Sequence, residues 1–248
     1  MTRDFDSSGD AVRELIDLMD LLRSPGGCPW DADQTHESLL EYLLEEAYET
    51  VDAVHSGDRA ALREELGDVL LQVVFHARIA QEHATDPFDV DDVARGITEK
   101  LRRRHPHVFA GEATPAPGEA QARWEELKAA EKQRASVTDG VPDAMPASLL
   151  AVKLLGRAGR KVETSAVRAV DDQVAWESAQ AALASVVSGS AAGQSAEGPG
   201  SAVDSAVGSL LLAIIAQAAA SGVDTEKALR DAVRDYRARL RSVEGVAD

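Results

Sequence analysis

The strongest constraint on how this chain can fold is the spacing of its apolar residues, which recur every three or four positions along most of its length. Side chains at that spacing share one face of an α-helix, so such a stripe is buried together only if the segment is helical. Residues 10–23 carry Leu15, Leu18, Met19 and Leu22 in this pattern. Residues 35–55 carry Leu39, Leu43, Leu44, Ala47, Val51 and Val54, and residues 58–82 carry Leu62, Leu66, Val69, Val73 and Ala77. Further helices are expected near 90–104 and 119–134. The breaks fall at Pro and Gly, in SPGGCPW (24–30), at Ser56-Gly57 and at His105-Pro106. Thr35 and Asp58 are the expected N-caps. No alternating hairpin pattern stands out, and the β-branched residues sit inside helical stripes. The expected fold class is all-α.

The pattern continues in the second half, with helices expected at 148–161, 171–187, 202–221 and 225–243. TDGVPDAMP (138–146) reads as a linker, and SVVSGSAAGQSAEGPGS (185–201) as a flexible low-complexity loop. The expected organisation is two helical-bundle domains, 1–137 and 147–248. EELGDVLLQVV (64–74) aligns with SAVGSLLLAII (205–215), which suggests an internal repeat at an offset of 141.

Charge narrows the function classes. The chain has 43 acidic and 26 basic side chains, a formal charge of −17. That opposes a protein coating nucleic-acid backbone, which needs a basic surface. The surplus is local: residues 31–68 hold 12 acids, opposed only by Arg59 and Arg63. Like charges at that density repel unless solvent or a cation screens them. One cysteine, Cys28, excludes a disulfide within the chain. The polar, acidic start MTRDFDSSGD lacks a signal-peptide pattern. The most apolar run, LLLAIIAQAAA (210–220), is shorter than the roughly 20 apolar residues a bilayer span needs. A soluble cytoplasmic protein with no membrane partner is expected.

The chemistry concentrates in Glu45-Glu46-Ala47-Tyr48-Glu49 and Glu65-Leu66-Gly67-Asp68. Glu46 and Glu49 are helical neighbours three apart, as are Glu65 and Asp68, and Glu45 adjoins Glu49. The Ser56-Gly57-Asp58 break lets the two helices pack antiparallel with the acidic pairs facing. Four converging carboxylates need a cation, and hard oxygen donors suit Mg²⁺ or Mn²⁺ over zinc. Any single acidic pair is more commonly a solvated helix face. Here the acids flank the apolar stripe of Leu66 and Val69. Gly67 weakens its helix by about 1 kcal/mol relative to Ala. Close approach of another helix would account for it, and so would simple tolerance.

These residues carry a family resemblance. E-E-x-x-E followed by E-x-x-D resembles the signature of the MazG-type nucleoside triphosphate pyrophosphohydrolases. GCPWD (27–31), Gln34-Thr35, ELGD (65–68), QVVF (72–75), KLRRRHPHVF (100–109) and RWEELK (123–128) resemble family segments in family order, over residues 11–135. The resemblance implies an all-α, usually dimeric enzyme that hydrolyses NTPs and dNTPs to the monophosphate and pyrophosphate with Mg²⁺. By position it implies Glu46, Glu49, Glu65 and Asp68 as metal ligands, with Glu45 in the same cluster. Glu45 or Glu49 would orient or deprotonate the attacking water. Lys100 and Arg104 would contact phosphates, and Trp124 and Lys128 the nucleotide. A triphosphate needs cationic side chains as well as metal, and Trp124 offers a face for base stacking.

The second half departs from that pattern. Its copy places Trp176-Glu177-Ser178-Ala179-Gln180-Ala181 opposite Glu45–Glu49, and Ala206 and Ser209 opposite Glu65 and Asp68. Only Glu177 remains of five carboxylates, so this copy is expected to bind no catalytic metal and to supply packing or dimer surface. No GxxxxGK[ST] loop or HExxH motif occurs. His76 and His83 are seven apart and read as ordinary surface or core histidines. His105 and His107 read as structural, with His105 capping the helix ending at Arg104. Cys28 has no partner for nucleophilic work, and Trp30 reads as a core or pocket wall. The alternatives are a related all-α dUTP or phosphoribosyl-nucleotide pyrophosphatase, and a non-enzymatic nucleotide-binding interaction protein.

Overall fold

The computed structural model describes residues 8–131, 135–161, 177, 180, 181, 184 and 202–244, and every regular element among them is helical. The chain divides into two compact units, Met1–Lys128 and Ala129–Asp248. The first contains α1 (Ser8–Arg23), α2 (Pro29–Asp33), α3 (Leu40–Ser56), α4 (Arg59–Ala80), α5 (Val90–Arg104) and α6 (Pro106–Phe109), and α7 (Pro117–Glu131) follows them. In the second are α8 (Ala147–Lys161), α9 (Ala202–Ala220) and α10 (Thr225–Glu244).

The α3–α4 hairpin is made by two residues. Gly57 ends α3 at φ +73°, the left-handed conformation that glycine adopts without a Cβ penalty. Asp58 then caps α4, its carboxylate accepting from the backbone N–H of Ala60 and Ala61 at 2.8 and 3.2 Å. At the far end of α5, the His105 ring lies 2.7 Å from the Leu101 carbonyl oxygen, the capping role expected of it.

Two local readings change. The breaker cluster contains a helix after all, because Pro29 occupies the first turn of α2, where its missing N–H is no loss. Gly27 is required just before it. A Cβ there would lie 2.3 Å from the carbonyl oxygens of both Leu21 and Leu22, so the chain passes against the end of α1 only as glycine. Thr35 does not cap α3. It caps the single turn before it, its hydroxyl accepting from Ser38 N–H at 3.1 Å while Thr35 N–H donates to the Ser38 hydroxyl at 3.0 Å. α3 then starts at Leu40.

The core of the first unit is Met19, Leu39, Val74 and Phe75, with Leu15, Ile16, Leu22, Tyr42, Leu71, Ile79 and Val90 packed around it. Met19, Leu39 and Ala77 are buried as their stripes imply. Leu66 and Val73 are exposed instead, because α4 turns Gln72, Val74, Phe75, Ala77 and Ala80 inward, and on α3 Leu44 and Val54 are exposed while Ala53 is buried. A helix apolar on more than one face cannot bury all of them against one core.

In the second unit α8 packs against α9, and α10 touches both. Buried Arg157 donates to the carbonyls of Val137 and Asp139, each at 3.0 Å, and so holds the start of segment 138–146 to α8. The expected loop 185–201, and the helix 171–187 apart from residues 177, 180, 181 and 184, lie outside the described residues. No single helix among the described residues is long and apolar enough to cross a membrane.

Candidate metal centre

The hairpin register brings the acids together. Glu49 stands eight residues before Gly57 and Glu65 eight after it; Glu46 and Asp68 stand eleven to either side. Two antiparallel helices rising equally from one turn carry such positions to the same level. One carboxylate oxygen from each of Glu46, Glu49 and Glu65 lies within 4.8 Å of the other two. Burial holds the Glu46 carboxyl above its ordinary value, and the charges of Asp68, Glu49 and Glu45 push it further. Burial also raises Glu65, followed by the charge of Glu49, a hydrogen bond with Glu49, and the charges of Asp68 and Glu64. Asp68 therefore acts on both helices of the cluster. Glu45 is exposed and acts on Glu46.

This donor set fits a divalent cation. Mg²⁺ holds oxygens at about 2.1 Å, so two of its ligands lie at most about 4 Å apart, and small side-chain rotations close 4.8 Å to that. All the candidate donors are carboxylate oxygens, the hard ligands of Mg²⁺ or Mn²⁺. Glu46, Glu49 and Glu65 would hold the ion, while Asp68, expected as a fourth ligand, lies outside that group of oxygens and reaches it through its charge.

Lys100 is exposed on α5. Arg104, one turn on, is buried at 8% exposure, and its guanidinium carbon lies 5.1 Å from the Trp124 ring centre. His105 meets the same ring at 5.0 Å. The indole thus has Arg104 over one face and His105 tilted against it. Lys128 follows one turn later on α7 and is partly exposed.

Several residues outside the motif enter the picture. Arg23 binds both oxygens of Glu82, at 3.1 and 2.9 Å, and the carbonyls of Asp31 and Gln34. It thereby fixes the stretch containing α2. Trp30, half exposed, meets Tyr42 edge-on at 6.1 Å and Phe75 at 6.5 Å. His36 and His76 stack with parallel rings and their Nδ1 atoms 2.8 Å apart. His76 is thus paired, and burial, then the charge of His36, lowers it from its ordinary value. Gln72 is buried. Its one available signal in the sequence was being the sole polar residue of VLLQVVF. The histidine pair spans 40 residues and no local pattern announces it.

A clustered-carboxylate centre on a helical hairpin, within an all-α fold, defines the class. Residues 34–109 match the family model described as the MazG nucleotide pyrophosphohydrolase domain. The chain belongs to this MazG family. Over 239 residues it is 37% identical to the nucleoside triphosphate pyrophosphohydrolase/pyrophosphatase MazG of Thermotoga maritima, covering 96% of this chain and 87% of that protein. Over 247 residues it is 36% identical to the nucleoside triphosphate pyrophosphohydrolase of Escherichia coli K12, covering 95% and 88%. The similarly described protein of Mycolicibacterium smegmatis is 53% identical over 152 residues, which are 60% of this chain and 46% of that one.

Proposed function

We propose that this chain hydrolyses nucleoside triphosphates, ribo- and deoxyribo-, to the monophosphate and pyrophosphate, with Mg²⁺ held by Glu46, Glu49 and Glu65 in the field of Asp68, and so cleanses the nucleotide pool. The observation that carries the reading is the convergence of three carboxylate oxygens from two helices within 4.8 Å. A bound divalent cation would neutralise charge on the phosphate oxygens. The chain's own groups do the rest. Glu49, or Glu45 beside it, accepts a proton from the water that attacks the phosphorus, as a general base must. Lys100 and Arg104 pair with phosphate charge, and Arg104 also lies over the Trp124 ring. Trp124 and Lys128 then border the nucleotide.

Two further parts of the reading concern assembly. Leu44 and Leu70 stand thirteen residues to either side of Gly57, and Tyr48 and Leu66 nine. All four are exposed, forming an apolar side of the hairpin that supports a homodimer. The second unit is a copy without a metal site, supplying packing or dimer surface. Gly67 on α4 and Gly208 on α9 are matched in the repeat, while Ser209 replaces Asp68 and turns its hydroxyl to the Ser205 carbonyl at 2.8 Å. The reading places the enzyme in the cytoplasm, where nucleoside triphosphates are made and used.

The test is a panel of canonical and modified NTPs and dNTPs with Mg²⁺, read for pyrophosphate in a pyrophosphatase-free sample, beside Glu49→Ala. Pyrophosphate from wild type and its loss in the variant are expected. Orthophosphate as the sole product would refute the reading.

A further inference from the structure

The hairpin register continues beyond the acids. Tyr42 and Gln72 stand fifteen residues to either side of Gly57, one helical turn from Glu46 and Asp68 respectively, or about 6 Å along each axis. Gln72 is only 5% exposed, and its amide oxygen Oε1 has no hydrogen-bond partner. Buried polar groups are nearly always satisfied, so a bare acceptor beside a site is a place where a ligand donor belongs. Above this level stands Trp30, edge-on to Tyr42 at 80° and to Phe75 at 68°, with half its surface open. Arg23 holds Trp30's segment in place through the carbonyls of Asp31 and Gln34. An aromatic wall and an unpaired amide oxygen therefore lie one turn past the carboxylates, on the side away from the Gly57 turn.

A nucleotide is built in the same order. Phosphates held at the acids put the ribose next and the base beyond it, at the level of Tyr42 and Gln72. The opposite direction runs toward the turn, where Arg59, Leu62, Arg63 and Leu66 line a cleft of about 520 Å³ with no such orphan acceptor. We infer that Gln72 is a specificity-determining residue, its amide oxygen accepting a hydrogen bond from an N–H of the nucleotide's base while Trp30 forms a wall of the base pocket. An amide beside a base edge favours bases whose N–H groups fall opposite its oxygen and rejects those that present a carbonyl there. This inference rests on the reading of the site as a nucleoside triphosphate hydrolase.

The experiment measures calorimetric binding of four non-hydrolysable α,β-imido nucleotides with Mg²⁺, one per base, to wild type and Gln72→Met, together with kcat/KM for the four natural substrates. Methionine keeps the volume and removes the acceptor. The expected result is an unequal change, with at least one base losing about tenfold more affinity than another. A common factor for all four bases, including no change, overturns the inference, since a residue that only packs or steadies Asp68 moves every base alike. Thermal melts accompany each variant. Removing an orphan acceptor leaves Gln72→Met at least as stable as wild type. Should it fail to fold, Gln72→Asn, which draws the amide back, must give the same unequal change. Wild type that neither binds nor turns over any nucleoside triphosphate overturns the proposed function itself. Wild type that turns over, with a uniform change in the variant, overturns the base reading alone.

Discussion

Arg23→Met tests how the segment carrying Trp30 is held. The Arg23 side chain is 3% exposed. It makes two hydrogen bonds to Glu82 and two to the backbone carbonyls of Asp31 and Gln34, with its guanidinium carbon 5.6 Å from the Phe75 ring centre. Methionine preserves the stem and removes every one of these donors. Hydrogen bonds to charged groups contribute about 1.5–3 kcal/mol each, but the two to Glu82 count for less, because that carboxylate is half exposed and Arg78 also reaches it at 2.8 Å. The carbonyls dominate, and breaking a largely buried network of this kind costs about 3–5 kcal/mol. For a unit of this size the melting temperature falls by roughly 10–20 °C. Glu82→Gln, which leaves the carbonyl bonds intact, costs about 1 kcal/mol. Circular dichroism melts and urea titrations of both variants give the comparison. The hydrogen bonds from Arg23, with its charge and that of Arg78, hold the Glu82 carboxyl below its ordinary value. Its stabilising contribution is therefore present above the unfolded value and lost as pH falls through the folded one, and Arg23→Met flattens that acid limb. Because Asp31 directly follows Trp30 and Gln34 closes the same short segment, the variant should raise KM more than it lowers kcat. A cost below about 1 kcal/mol, or one no larger than that of Glu82→Gln, would refute the reasoning.

Glu46 and Glu65 sit above their ordinary value of 4.5, so from about that pH upward the native state holds more protons than the unfolded chain, and metal-free stability falls as pH rises through the raised values. Glu65→Gln should flatten that slope, raise the metal-free melting temperature and shrink the rise produced by Mg²⁺; melts across pH 4–8 with and without Mg²⁺ check this, and a full Mg²⁺ effect in the variant counts against the ligand assignment. Gly67→Ala should stabilise the chain by up to about 1 kcal/mol, because a Cβ there meets nothing within 4 Å and α4 loses a flexible residue. The urea midpoint measures it, and a loss of stability would show a second chain packed closely on that face.

Much of the centre was legible because it is local. The i, i+3 spacing of Glu46 with Glu49 and of Glu65 with Asp68 fixes each pair on a helix face, and Gly57 with Asp58 fixes the turn between them. Helix limits followed equally well where a cap was explicit, as at Asp58 and His105. They failed where a cap served a different turn, as at Thr35, whose hydroxyl is committed to Ser38. The grouping of Arg104 with Trp124 was less legible. Arg104 and Trp124 are motif residues, but only packing buries the guanidinium over the indole.

The sequence by itself determined the all-α class, the hairpin and the level at which Glu46, Glu49 and Glu65 meet, because helical periodicity and turn chemistry act over a few residues and the register follows from counting out from Gly57. Only the tertiary structure decided which face of α4 is inside, that His36 finds His76, that Arg23 ties α1 to the Trp30 segment and the end of α4, and that Gln72 is buried with its oxygen unpaired. Those facts depend on how separate helices rotate against one another. An apolar pattern broad enough to bury more than one face leaves that rotation open until packing selects it.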